Sequence, residues 1–221
     1  MVISQCRKRQ LILIGTIILF TTFLINNAYS QIKDNINWSS IKVITPIDEE
    51  ISFSITPIIR FNNDLSSYQN TSIDLAIKKN ISEKWHMQLL SRTWFIPDEA
   101  GRQFIWFDVG YNFPLRNFKI ASHTRLHLAL DINDRNDPDY LRWKTTFSLP
   151  SVGRVVPFVA IEPWLRINDD LQLQRMRYEP GCHLSLKQDI KLSLTYRRED
   201  SVNLIPTKRF NMYLITLTFN S

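Results

Sequence analysis

Polar and apolar residues alternate along the segment FKIASHTRLHLALDI, residues 118–132. One alternate set holds charged or small residues, with Arg125 and His127 near its centre, and the other holds Leu126, Leu128 and Leu130. Side chains at every second position of a β-strand point to the same face. The segment is therefore predicted to be a strand with one polar face and one apolar face.

Similar stretches, rich in Ile, Leu, Phe, Thr and Trp, recur after residue 37, whereas helical periodicity is nearly absent. This pattern predicts an all-β protein. Short connections such as 47–50 alternate with longer polar ones such as FNNDLSSYQN, an arrangement typical of transmembrane β-barrels. The predicted strands are residues 38–45, 51–61, 71–79, 84–95, 103–112, 118–131, 140–149, 155–166, 172–186, 190–198 and 209–220.

The first thirty residues have the features of a secretory signal peptide. Basic residues at 7–9 precede an apolar run at 11–25, and small residues close the segment at 28–30. The run is shorter than the ~20 residues that a spanning helix needs, so residues 1–30 are predicted to be a cleaved signal peptide and not an anchor helix. No later apolar run is long enough for a transmembrane helix.

Charge and cysteine content narrow the function classes. Removal of residues 1–30 would leave 24 basic and 21 acidic residues, a net charge of +3 compared with +6 for the full chain. This mild charge gives no support for nucleic-acid binding. Cys182 is the only cysteine after residue 30, so no intramolecular disulfide is expected.

The number of strands is not settled by the pattern. Bacterial single-chain barrels have an even number of strands, whereas eleven stretches are predicted. An antiparallel barrel of about 10 strands formed by residues 51–221 would place the short connections on the periplasmic side, and residues 31–50 would be a separate N-terminal extended segment. Twelve strands, one of them unrecognised, is the alternative.

Alternation also does not show which of the two faces points into the barrel and which points outward. A soluble, lipocalin-like binding protein has its apolar face inward around a ligand, whereas a membrane barrel has it outward against lipid. The apolar faces are long enough to span a membrane, and aromatic residues lie near the predicted strand ends, where interfacial girdles belong. These residues are Trp38, Trp85, Trp94, Trp143, Trp164, Tyr111 and Tyr140.

The last predicted strand is apolar and carries Phe219 near its end. An apolar strand with an aromatic residue at this position is the feature that bacterial barrel-assembly machinery binds. Together with the signal peptide and the long apolar faces, it favours a location in the bacterial outer membrane, with outer-membrane lipid and the assembly machinery as partners. The oligomeric state has no signature in the sequence.

Four further sequence features are spread along the chain. They are Trp38 near the start of the predicted mature chain, ISFSITPIIRF, LLSRTWF around Arg92, and RMRYEPGCHLSL near the C-terminus. Together they resemble the Bacteroidota proteins grouped as domain of unknown function 2490. The resemblance covers most of the chain after residue 30 and implies an outer-membrane β-barrel. It implies no catalytic residues, because the activity of that family is uncharacterised.

If the polar faces point inward, twelve basic residues meet five acids, Asp74, Asp108, Asp131, Glu162 and Glu179. Buried charges need partners, so either a solvated, salt-bridged interior or an anion-attracting one is expected. Guanidinium groups bind carboxylates and phosphates bidentately. The candidate anion-attracting residues are Arg92, Arg125, Arg142, Lys144, Arg166, Arg175, Arg177 and Arg197, and the other four bases are Arg60, Lys78, Lys119 and Lys191.

Enzymatic action on membrane lipid is the alternative to a non-enzymatic, structural or weakly anion-conducting barrel. Ser122 and His123 are the right residue types but point to opposite faces, and His183 and Ser185 lie about 7 Å apart along one strand. The acidic loop 133–137 lacks the EF-hand pattern for calcium, and no residue cluster has the spacing of zinc ligands. No metal or cofactor is therefore expected.

Overall fold

The strands follow the alternating stretches closely. The computed structural model describes residues 32–62, 66–99, 101–115, 118–130, 137–168, 171–203 and 208–221, and the predicted signal peptide at 1–30 lies outside them. In these ranges no helix is long and apolar enough to cross a membrane. The strands are β1 (Ile32–Pro46), β2 (Ile51–Asn62), β3 (Ser67–Asn80), β4 (Trp85–Phe95), β5 (Arg102–Pro114), β6 (Lys119–Leu130), β7 (Tyr140–Ser148), β8 (Val155–Arg166), β9 (Gln172–Ser185), β10 (Ile190–Ser201) and β11 (Lys208–Asn220).

These eleven strands form one closed barrel, which confirms the prediction of an all-β barrel. Sequence neighbours pair antiparallel throughout, and β1 closes the barrel by pairing parallel to β11. The prediction of about ten strands, or of twelve, is therefore wrong, and the sheet is not antiparallel at this one closure. The extra strand is β1, which lies in the segment 31–50 that was expected to be separate from the barrel.

The β1–β11 closure is continuous along most of both strands. The register runs from Ile32 opposite Lys208 to Ile44 opposite Asn220. At its middle, the Ser40 and Thr216 hydroxyl oxygens lie 2.8 Å apart on the inner side. Because an odd number of strands leaves the first and last strands pointing the same way, a parallel pair is the only way to close the sheet without an unpaired edge.

The apolar face of the sheet points outward. Leu75, Leu89 and Ile215 expose 44%, 53% and 41% of their surface, whereas their strand neighbours Asp74 and Leu90 are buried. Further exposed apolar residues at alternate strand positions are Ile41, Val43, Phe53, Ile55, Ile59, Ile77, Phe107, Trp143, Phe147, Val159, Ile161 and Leu194. The outer surface is therefore covered by large apolar side chains around the barrel, and the polar faces line the lumen.

Four prolines lie inside strands, where each removes a backbone donor. The β1–β2 ladder gives Pro57 no partner, the β7–β8 ladder gives Pro163 none, and the β9–β10 ladder gives Pro180 none. Pro157 lies one residue beyond the last β7–β8 pair, and its carbonyl accepts a hydrogen bond of 2.9 Å from the Leu149 amide. Each proline therefore coincides with a gap or an end in one of its two ladders.

The two ends of the barrel differ in their connections, as the sequence predicts. At one end the turns are short, and side chains fix two of them. The Asp48 carboxylate accepts hydrogen bonds from the amides of Glu50 and Ile51 at 2.8 and 2.6 Å, and Ser82 accepts one from the Trp85 amide at 3.1 Å. The opposite end carries the longer connections, and β1 begins at that end because it runs parallel to β11.

The parallel closure can be tested by cysteine cross-linking in a chain that starts at Gln31 and carries Cys182→Ser. Ser40→Cys with Thr216→Cys is expected to form a disulfide on mild oxidation, because the two positions are direct register partners on the same face. Mass spectrometry of the non-reduced peptides measures the link.

The matched control for this test is Ser40→Cys with Ile215→Cys, in which the second cysteine is one residue away and points to the outer face. Cross-linking of the control in preference to the Thr216 pair would contradict the register. Equal failure of both pairs in a folded barrel would contradict the closure itself.

Candidate functional site in the barrel lumen

Ion pairs between neighbouring strands fill the middle of the lumen. Arg92 on β4 donates hydrogen bonds from its Nε and Nη2 atoms to the two carboxylate oxygens of Asp74 on β3, at 2.5 and 2.6 Å. Arg125 on β6 binds Asp108 on β5 in the same way, at 2.6 and 2.5 Å. Both pairs are direct register partners, so the pleat alone brings the charges together. Paired hydrogen bonds of this kind hold each guanidinium in one orientation.

A longer chain of ion pairs runs across β7, β8, β9 and β10. Glu162 accepts hydrogen bonds from Arg142 at 2.7 Å and from Arg177 at 3.4 Å. Arg177 donates in turn to Glu199 at 2.5 Å, and Glu199 also accepts from Arg175 at 3.2 Å. Two carboxylates thus compensate three guanidinium groups in one connected network.

A third carboxylate, Glu179 on β9, is shared in the same manner. It accepts a hydrogen bond of 2.5 Å from Arg197 and a second one from the Lys144 ammonium group. Glu179 exposes only 2% of its surface. Its charge is therefore held away from water and depends on these two cations.

Seven of the eight lumen residues predicted from the sequence take part in these ion pairs. The eighth, Arg166, lies outside this part of the network, at the end of β8, opposite Tyr140 and Gln172 in the register. Glu199 was not among the predicted lumen residues, because the predicted strand ends at residue 198 whereas β10 continues to Ser201. Asp131 and most of the 133–137 loop lie outside the described residues. Glu199 lowers the predicted excess of positive charge by one, and Lys42, an inward base that was not predicted either, raises it by one.

Tryptophan rings separate the guanidinium groups from one another. The Trp106 ring lies 4.4 Å from the Arg92 guanidinium and 4.3 Å from that of Arg125. The Trp164 ring lies 3.8 Å from the Arg142 guanidinium and 3.9 Å from that of Arg177. Each ring face is electron-rich, so it stabilises adjacent cations that would otherwise repel. Each of these guanidinium groups therefore contacts carboxylates through its N–H groups and a tryptophan ring through its planar face.

The prediction of outer aromatic girdles is accordingly wrong for several residues. Trp38, Trp94, Tyr140 and Trp164 face the lumen and pack there against arginines or other rings. Trp85 and Trp143 do lie on the outside, exposed by 48% and 56%. Position near a strand end does not reveal the face, because a shift of one residue along a strand reverses the side chain.

Two cavities lie on either side of the charged layer. The upper cavity, towards the longer connections, has a volume of about 360 Å³, and the lower one has about 270 Å³. Both are bounded by the same five residues, Trp38, Arg92, Trp106, Arg125 and Arg197. The charged layer thus divides the lumen into two compartments, an arrangement that a wide, open channel would not have.

The residues considered for catalysis are not brought together. Ser122 faces outward and accepts a hydrogen bond of 2.6 Å from the Trp143 indole, whereas His123 faces the lumen. His183 lies 2.8 Å from Ser193, its cross-strand partner, and not beside Ser185, and its ring stacks on Phe158. In the part of the chain that the structure describes, no three His, Cys, Asp or Glu side chains cluster closely enough to hold a metal ion.

No family model matches this sequence, and neither a curated protein nor a solved structure matches it. The resemblance to domain of unknown function 2490 stays a prediction.

The contribution of the ion-pair network to stability can be tested at Glu179. Glu179→Gln keeps the size of the side chain but leaves Arg197 and Lys144 without their counter-charge in a buried position. Breaking a buried pair in this way costs about 3–5 kcal/mol. We expect a loss of that size in the free energy of unfolding, measured by urea titration of the barrel in detergent micelles.

The control for Glu179→Gln is Glu50→Gln, which removes the same charge from a pair with Lys79 that is exposed at the short-turn end. Exposed pairs contribute little, so this variant is expected to unfold like the wild type. Equal free energies of unfolding for the two variants would show that water in the lumen screens the charge of Glu179.

Proposed function

We propose that this protein is a non-enzymatic outer-membrane β-barrel that is structural or conducts anions only weakly. The outward band of large apolar side chains supports this proposal most strongly. In hydrocarbon, every backbone donor and acceptor must be satisfied internally, which a closed barrel does. Water would make the same apolar surface unfavourable, because soluble proteins rarely expose contiguous apolar patches beyond a few hundred Å².

The polar interior supports the same proposal over the lipocalin-like alternative. A soluble binding barrel of that type buries an apolar face around its ligand. Here the buried inward positions include Asp74, Arg92, Glu162 and Glu179. The predicted signal peptide and the position of Phe219, one residue before the end of β11, agree with export and with insertion by barrel-assembly machinery.

The charged layer favours a closed or poorly conducting lumen. Ion pairs and tryptophans separate the two cavities, so ions would have to pass between groups that are held by two or more contacts each. Arg60, Lys42 and Lys78 face the lumen in addition to the ion-paired residues and add positive charge on both sides of the layer. Any residual conductance should therefore prefer anions.

Membrane insertion can be tested with one charged substitution on the outer surface. Leu75→Arg places a cation at the middle of β3 on the outward face. It is expected to weaken folding into lipid vesicles by roughly 2–4 kcal/mol, because arginine at the bilayer midplane carries that cost. Urea-dependent folding into vesicles measures the loss, and recovery in the outer-membrane fraction should fall in parallel.

Leu171→Arg is the matched control, because Leu171 is more exposed, at 68%, but lies in the connection between β8 and β9. It should fold and fractionate like the wild type. A water-soluble barrel would tolerate both substitutions equally, so equal behaviour of the two variants would refute the proposal.

Conductance in a planar bilayer tests the closed lumen. The wild type is expected to show a very small conductance with anion preference. Asp74→Ala combined with Arg92→Ala removes one ion pair without changing the net charge and should raise the conductance, because both cavities border Arg92. Asp74→Asn with Arg92→Gln, which removes the same charges but keeps the bulk, is the control. A large wild-type conductance that the alanine pair leaves unchanged would exclude a closed lumen.

A further inference from the structure

Arg60 differs from the other buried lumen arginines in forming no ion pair with an acid among the described residues. It exposes 4% of its surface, and its Nε and Nη2 atoms have no hydrogen-bond partner among the described residues. Its register partners are Trp38 on β1 and Asn70 on β3, neither of which is charged. A buried guanidinium with unmet donors is costly. The neighbouring Asn70 Oδ1 is also buried without a hydrogen-bond partner, but it is a neutral acceptor, so the positive charge of Arg60 still has no anionic partner among the described residues.

Two tryptophans hold this guanidinium in place. The Trp38 ring centre lies 3.6 Å from the Arg60 guanidinium carbon, and the Trp94 ring centre lies 4.4 Å from it. Contacts with two ring faces stabilise the cation without using its N–H groups, which lie in the guanidinium plane. The side chain is therefore oriented before any partner arrives, and its donors are left available.

The upper cavity of about 360 Å³ borders this arginine, and its other walls combine aromatic side chains with arginines in equal number. The indole Nε1 atoms of Trp38, Trp94, Trp106 and Trp164 are buried and have no hydrogen-bond partner within the described ranges. The two acids in the lining already serve other arginines: Glu199 binds Arg177, and Asp137 lies 3.7 Å from Arg102. The cavity thus offers several donors and no uncommitted carboxylate among the described residues that line it.

From this combination we infer that the upper cavity binds a small aromatic anion whose carboxylate or phosphate is held by Arg60. The planar guanidinium matches the two oxygens of either group, and the tryptophan walls match a flat apolar body. The volume lies at the lower end of the range for small-molecule sites, which limits the ligand to about one or two fused rings. Binding needs only the closed barrel, so the inference stands independently of the membrane location.

Titration calorimetry of the folded protein in detergent micelles tests the site with three probes. Naphthalene-2-carboxylate and 2-naphthyl phosphate present the two acidic groups, and naphthalene-2-carboxamide is the neutral isostere. We expect saturable binding of at least one anion at one site per barrel, and at least tenfold weaker binding of the amide. The anion that binds with the higher affinity identifies the preferred acidic group. Absence of saturable binding by both anions, or equal binding of the amide, would overturn the inference.

Arg60→Met is the deciding variant, because it keeps the length of the side chain and removes the cation. It should weaken binding of the preferred anion by at least tenfold. Lys78→Met is the matched control, because it removes the same charge from an inward position of β3 outside the cavity lining, and it should change binding less than twofold. An equal loss in both variants would assign the effect to the general positive field of the lumen and overturn the site.

Heat-modifiable migration on a gel shows whether each variant still forms the closed barrel. If Arg60→Met does not fold, Arg60→Lys replaces it in the comparison, since lysine keeps the charge but loses the planar pair of donors. Lysine is then expected to bind the anion at least fivefold less tightly than the wild type, and unchanged binding would overturn the role of Arg60. Loss of binding with normal membrane insertion refutes this site alone, whereas failed insertion with intact binding refutes the membrane proposal alone.

Discussion

Carboxylates shared between cations make it feasible for this barrel to keep its charged face inside. Glu162, Glu179 and Glu199 each contact two basic groups, and each is nearly inaccessible to water. Without them, five guanidinium or ammonium groups would lie close together in a narrow space with little water to screen them. Because side chains alternate between the two faces of a strand, placing the charged residues inside places the apolar residues outside.

The same network gives the lumen its layered character. The ion-paired layer lies between two cavities, and tryptophan rings fill the spaces between its arginines. Ion pairs and rings therefore occupy the part of the lumen that lies between the two cavities. Arg60 lies on the upper side of this layer, and its only cation-stabilising contacts among the described residues are with rings. The contrast between paired and unpaired arginines separates the structural part of the lumen from the candidate binding part.

Closure imposes the second constraint on the fold. Ten antiparallel strands, β2 to β11, would in principle have two edges that run antiparallel to each other. Insertion of β1 between them makes one junction parallel and leaves no free edge. Three of the four strand prolines occur where a ladder lacks a partner, so the missing donors fall where no hydrogen bond is made. The wall therefore tolerates residues that a regular central strand would exclude.

The alternation of residues was sufficient to predict the strands, the two faces and the short and long ends, because a period of two is a property of each strand on its own. It also predicted that Arg92, Arg125, Arg142 and Arg177 share the polar side. It could not predict the eleventh wall strand, because whether residues 32–46 join β11 depends on the spacing of the whole closed sheet. Nor could it reveal that Glu199 balances two arginines, or that Arg60 has no ion-pair partner among the described residues. Those features depend on register between strands that are distant in sequence, and register is settled only when the barrel closes.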